Sequence, residues 1–290
     1  PDTPEVRRDL ANYYDLVTAV DYRVGEVLAA LEKAGVADNT VVFLTGDHGR
    51  GLPRSKRWVY HQGIHVPLIV RWPGQIKPAS VREDLVCFLD FSKTALALAE
   101  AEIPERLQGQ IIVGPKTEPE RKYVFACRDR MDEVPDRIRT VVGQRYQYIR
   151  NFHPELPYAQ RIAYMEEMPT MQVWRRLHAE GKLNDVQSLF FAPTKPREEL
   201  YDLTTDRHCV KNLVASPGPL PSRTRLIARK PPEPRPGPPR AAHILPLQER
   251  SVASAAEGAH TRPAAGEHGR QAQIQFKGQD DGDARTTTGG

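Results

Sequence analysis

Several features that would assign a protein to a class by composition are scarce in this sequence. Its three cysteines, Cys87, Cys127 and Cys209, are odd in number and show no C-x-x-C spacing. That argues against a disulfide framework or a thiolate zinc site and leaves buried or incidental thiols. No apolar run approaches the ~18 residues of a membrane span, and the start PDTPEVRRDL has neither the charged n-region nor the apolar h-region of a signal peptide. The chain as given is therefore expected to be soluble. A one-signed charge is missing too: 41 Lys and Arg against 37 Asp and Glu leave +4. Residues 216–290 carry 11 of the basic and 7 of the acidic residues, so residues 1–215 hold 30 of each and are neutral. A nucleic-acid partner is not expected.

The same segment, 216–290, holds 11 of the 26 prolines, 9 of the 20 glycines and one aromatic residue, Phe276. Such a composition supplies too little periodic apolar surface to offset the ordering entropy of a packed core, so a mostly disordered tail is expected. A basic, Pro-rich tail also suits acidic partners or Src-homology-type domains, but the lack of interleaved aromatics favours a plain solvated segment. The abrupt change of composition predicts a reading-frame shift or fusion near Ser216.

In the body, Leu10, Tyr13, Tyr14, Val17, Val20, Val24, Val27, Leu28 and Leu31 recur at three- and four-residue spacing, which predicts an amphipathic helix from Arg7 to Ala34 stopped by Gly35 and packed on something large. Thr40 to Thr45 is a continuous β-branched and apolar run of the kind found in a strand buried on both faces, so helix then strand predicts a parallel α/β sheet. A second run, Val66 to Trp72, ends at Pro73-Gly74, and a helix is expected from about Asp90 to Ala101. Short strand-like segments follow at Tyr123–Cys127, Arg139–Val142 and Tyr146–Asn151, the last two joined by Gly143-Gln144-Arg145, which predicts a small antiparallel subdomain. Met165, Met168 and Met171 read as packing residues.

Gly46-Asp47-His48-Gly49 follows the first strand directly, where ligand sites of open α/β sheets are built. Asp47 and His48 offer a hard oxygen and an imidazole nitrogen side by side, and the flanking glycines let the backbone turn both toward one divalent ion. A polar turn capping the strand is the alternative. Lys56 lies eight residues on, in Arg50-Gly51-Leu52-Pro53-Arg54-Ser55-Lys56-Arg57-Trp58-Val59-Tyr60, followed by Gly63-Ile64-His65-Val66-Pro67-Leu68-Ile69-Val70-Arg71-Trp72-Pro73-Gly74. It reads either as an anion-binding ammonium or as an exposed lysine of a basic loop.

With these elements in order, and with Glu198 to Asp206 and Lys211-Asn212-Leu213 matching E-L-Y-D-L-x-x-D-P-x-E-x-x-N-L, the chain resembles the sulfatase family of the alkaline phosphatase-like superfamily over roughly residues 1–215. The resemblance implies part of that α/β fold, 1–115 as the carboxyl-terminal part of the catalytic α/β domain and 116–215 as a small antiparallel α+β subdomain, while 216–290 is the tail that composition predicts to be disordered. It implies that Asp47 and His48 ligate an active-site calcium and that Lys56 contacts sulfate oxygens. A hydrated formylglycine would attack sulfur in a sulfate ester or sulfamate, and the partner implied is a sulfated small molecule or glycan.

The formylglycine is made from Cys or Ser in C/S-x-P-x-R, and none of the three cysteines fits that pattern. This chain alone is expected to be inactive. Pro219-Leu220-Pro221-Ser222-Arg223 places proline where the nucleophile belongs. Further departures are His61 for an acid, His65 for Arg, and Arg207 and Cys209 for Pro and Glu. Arg130, within Cys127 to Glu133, reads as a sugar-binding residue or as part of a salt-bridged surface loop. Other readings are a phosphoester or phosphonate hydrolase of the same superfamily, with transition metals, and a non-catalytic or degenerate relative. A periplasmic or secreted location is implied for a full-length bacterial homologue.

Overall fold

The computed structural model describes residues 1–215, so the expected tail disorder, the composition break and the Pro219–Arg223 near match lie outside the described residues. The first element, α1 (Pro4–Lys33), begins where local chemistry dictates: Thr3 accepts from the Val6 N–H, Pro4 occupies the first turn, and Glu5 faces the helix dipole. It ends in a Schellman motif, with Gly35 at φ 68°, its N–H donating to the Glu32 carbonyl and that of Val36 to Leu31. None of its residues is buried. The expectation that its stripe packs on something large is therefore not met among the described residues: Val17, Val20 and Val27 are exposed. Its ties to the rest run through Asp9, which accepts from the Thr170 N–H at 2.8 Å, and Glu5, 3.8 Å from Arg176.

A single turn at Ala37–Asn39 leads into β1 (Val42–Thr45). A long loop, containing α2 (His61–Ile64), returns the chain to β2 (Leu68–Arg71). The two strands pair antiparallel, Val42 with Arg71 and Thr45 with Leu68. This corrects the parallel pairing expected from the helix-then-strand order, because no crossover helix separates the strands and the loop folds back on itself. Nor is β1 fully buried; all four of its residues are half-buried. The next element, α3 (Leu89–Leu98), carries Asp90 in its first turn, where the buried carboxylate accepts from the Cys87 and Gln110 N–H groups and from Arg121 at 2.5 Å.

The larger sheet has four antiparallel strands in chain order, β3 (Val124–Met131), β4 (Val134–Val142), β5 (Tyr146–Asn151) and, after helices α4 (Ala163–Glu166), α5 (Pro169–Ala179) and α6 (Asp185–Ser188), β6 (Glu198–Asp202). The β4–β5 hairpin turns at Gly143–Arg145 as its sequence predicts. Ile138 and Ile149 from this sheet pack with Met165, Met171 and Phe190 from the helical segment, and with Trp58 and Tyr60 from the long loop. Met165 and Met171 are thus packing residues. Among the cysteines, Cys209 is buried, Cys127 exposed and Cys87 between. Burial pushes the Cys209 thiol up to about 11, which keeps it a thiol rather than a nucleophile.

Candidate active site

The loop from Gly46 to Tyr60 is held by backbone contacts that only glycine permits. Gly49 N–H donates to the Gly63 carbonyl at 2.9 Å, and a Cβ at Gly49 would overlap the Gln62 carbonyl. A Cβ at Gly63 would overlap the carbonyls of Ser55 and Trp58. Ser55 Oγ donates to Gln62 O at 2.8 Å, and Lys56 N–H to Arg50 O at 3.0 Å. Arg54 and Arg57 hold left-handed φ values of 61° and 74° on either side of Lys56. Each is a strain of about 1–3 kcal/mol that the surroundings must offset. The Arg54 guanidinium donates to the carbonyls of His208 and Cys209 at 2.7 and 2.6 Å and lies 4.2 Å over the Tyr60 ring. Arg57 lies over Tyr164 at 4.7 Å and reaches Asp132 at 3.3 Å. The Lys56 backbone is thereby fixed between two anchored arginines.

Asp47 and His48 stand at the end of β1. His48 Nδ1 lies 2.7 Å from the Gly49 carbonyl oxygen, which can only accept, so this nitrogen donates and Nε2 is the one turned to Asp47. Nε2 is 3.4 Å from Asp47 Oδ2, and the Asp47 side chain is 87% exposed. A proton on Nε2 or a cation shared by the two side chains satisfies such a pair. The pair fits a divalent ion as two donors of a larger set, since calcium takes six to eight ligands. Among the described residues no group of three or more His, Cys, Asp or Glu converges on one point.

Asp47 and His48 lie on the wall of a cleft of about 1280 Å³ whose cationic residues include Arg57, Arg82, Arg128 and Arg207. Lys56 is not among the residues that line it; its ammonium lies 5.3 Å from the Tyr164 ring centroid, without a carboxylate within ion-pair distance among the described residues. Arg130 does not line the cleft; its Nε donates to the Asp132 carbonyl at 2.9 Å at the exposed β3–β4 turn. The arginine that does is Arg128, 2% exposed and stacked 4.2 Å over Trp58. Its Nε is buried without a hydrogen-bond partner. The sequence carried no signal to prefer it over Arg130. The closing-motif residues are structural: Asp202 pairs with Arg145 at 2.7 Å, Asp206 accepts the Val210 and Lys211 N–H groups, and Asn212 accepts from Leu200 N–H.

Residues 1–101 match the sulfatase family model. An ulvan-active sulfatase of Formosa agariphila is 42% identical over 217 residues, which cover 75% of this chain and 36% of that protein. Human N-sulphoglucosamine sulphohydrolase is 27% identical over 232 residues, 75% of this chain and 46% of that one. A protein solved in complex with its substrate D-glucosamine-2-N,6-O-disulfate shares the fold, with a TM-score of 0.53 at 22% identity over 73% of this chain and 37% of that one. The fold and site thus define an alkaline phosphatase-like α/β protein. The chain belongs to the sulfatase family. It spans 36% and 46% of the length of these two curated relatives, less than half of either.

Proposed function

We propose that this chain carries part of the active site of a hydrolase of sulfate esters or sulfamates that acts on sulfated glycans. The observation behind this reading is the juxtaposition of Asp47 Oδ2 and His48 Nε2, 3.4 Å apart on the wall of a cleft that four arginines also line. Asp47 and His48 would hold a divalent cation, calcium by family resemblance, which when bound supplies positive charge to the sulfate oxygens. Lys56 binds a further sulfate oxygen, and its position between the anchored Arg54 and Arg57 keeps the ammonium aimed without a competing carboxylate. Arg57 and Arg128 add positive potential along the cleft. Nothing in the 290 residues fits C/S-x-P-x-R, so this chain by itself supplies binding and charge stabilisation but not the nucleophile.

The test joins ahead of Pro1 a sulfatase segment chosen to carry C/S-x-P-x-R and matures it to formylglycine. Calcium-dependent sulfate release from an aryl sulfate and from a sulfated oligosaccharide is expected, with loss of about a hundredfold or more in Asp47→Ala and Lys56→Ala, the scale of removing one charge-stabilising group. Phosphate-ester turnover with manganese or zinc, or sulfate release indifferent to Asp47, would overturn the reading. The 290-residue chain alone should release no sulfate.

A further inference from the structure

A second feature lies beside His48, where α2 and the turn after β6 meet in a recess of about 290 Å³. It shares His48 with the cleft, and its other polar walls are Tyr13, Arg50, His61, Gln62, His65, Arg207 and His208. No carboxylate lines it. The neighbouring acids in sequence are engaged elsewhere: Asp206 accepts the backbone N–H groups of Val210 and Lys211 at 2.8 Å, and Asp47 accepts the His48 N–H at 2.9 Å. His61 and His65 stand one helical turn apart on α2, which stacks their rings with centroids 4.4 Å apart and planes 14° from parallel. His208 Nδ1 is engaged by the Gln62 side-chain amide, which fixes that ring as well.

Positive groups gathered without a counter-charge repel one another. Burial first, then His65, Arg207 and His208, push the His61 imidazole down to about 4, so the recess sheds a proton where another site would have recruited an acid. What remains is a set of arginine, imidazole and amide donors with no acidic acceptor among them. An anion satisfies such a set by charge-assisted hydrogen bonds, to which Arg50 and Arg207 contribute guanidinium donors.

We propose that this recess is a second anion subsite, which holds a sulfate or carboxylate group of a polyanionic glycan while the sulfate to be cleaved sits at Asp47, His48 and Lys56. The proposal rests on the sulfatase reading of that pair and adds a substrate requirement: at least two anionic groups on the glycan. It also gives a physical role to His61 and His65, two positions at which the chain departs from the family pattern.

The experiment is histidine-detected carbon–proton NMR of the 290-residue chain without metal, titrated with sodium sulfate and, separately, sodium glucuronate at constant ionic strength in sodium chloride. Saturable shifts of the His61, His65 and His208 ring signals are expected, with His153 and His178 unmoved and the His61 pKa rising on saturation. Paired Arg207→Gln and His208→Gln substitutions, both on exposed side chains, should weaken binding about tenfold or more; His65→Gln alone should weaken it less. Saturation by sulfate alone assigns a second sulfate group, by glucuronate alone a uronic acid, and by both the shared anion chemistry. Absence of saturation, equal shifts in chloride, or unchanged affinity in the paired variant would overturn the subsite. Calcium-dependent sulfate release by the joined protein reads the Asp47 pair separately. Sulfate binding in the recess without such release keeps the subsite and removes the sulfatase reading beneath it, whereas the reverse removes the subsite alone.

Discussion

Glu199 is 1% exposed beneath the loop that carries Lys56, and four side chains donate to it: Tyr201 at 2.5 Å, Asn151 at 2.6 Å, Tyr60 at 2.9 Å and Tyr158 at 3.2 Å. No Lys or Arg among the described residues lies within ion-pair distance of it. Hydroxyls and one amide therefore hold this carboxylate. Burial, and then the Glu199 charge, raise all three phenols above their ordinary value, so they remain protonated donors across the working pH range. Tyr60 ties β6 to the site loop through this bond. In Tyr60→Phe the ring keeps its stack on Trp58 at 5.8 Å and its edge contact with Tyr201 at 6.0 Å, so the change isolates the hydroxyl.

A hydrogen bond to a charged acceptor contributes roughly 1.5–3 kcal/mol, and Tyr60→Phe should lower the unfolding free energy by that amount. Tyr158→Phe, with the longest of the four bonds and a half-buried side chain, should cost about 1 kcal/mol. Glu199→Gln withdraws the charge from all four donors together and should cost about 3 kcal/mol or more. Urea unfolding followed by tryptophan fluorescence reads these values, since Trp58 lies in the same cluster. The double variant Tyr60→Phe with Glu199→Gln should lose less than the sum of the singles. Strict additivity, or a Tyr60→Phe protein within about 0.5 kcal/mol of the parent, would refute Glu199 as the anchor of the loop.

Lys195 and Asp136 form an ion pair at 2.9 Å with both side chains at 0% exposure, and burial pulls the lysine below its ordinary pKa. Lys195→Met should cost about 3–5 kcal/mol in urea unfolding by stranding Asp136, and adding Asp136→Leu should recover much of it. Gly63→Ala drives a Cβ into the Trp58 and Ser55 carbonyls, so the loop must open; faster proteolytic cleavage between Gly46 and Tyr60 is expected, with β3 to β6 still protected. For His61 the folded value of about 4 lies below the unfolded value near 6.5, so the unfolded chain takes the proton first. Stability should be undiminished by this group above about pH 6.5, fall as the pH drops from there toward 4, and fall less steeply in His61→Gln; thermal melts across that range check it.

What could be read from the residues was what short-range chemistry decides. Gly35 closes α1 because capping bonds span three to five residues, and Gly143 closes the β4–β5 hairpin for the same reason, whereas the start was placed at Arg7, inside the helix that Thr3 caps and Pro4 begins. The β1–β2 pairing direction was not legible, since it depends on Gly49 and Gly63 bringing two ends of a long loop together, which hydrophobic spacing does not encode. The choice between Arg128 and Arg130 was hidden by a different cause. Period-two alternation would put both on one face, but the β3–β4 register shifts between them, which buries one against Trp58 and leaves the other at an exposed turn. The arginines of the cleft escaped composition altogether: Arg57, Arg82, Arg128 and Arg207 come from four separate segments of a body that is neutral in sum, and Asp47, Glu83 and Asp84 line the same cleft. Arg82 pairs with Asp84 at 2.8 Å and Arg57 with Asp132 at 3.3 Å, whereas Arg128 is stacked on Trp58 without a carboxylate partner among the described residues, so what composition hides is which arginines the fold leaves without a counter-charge.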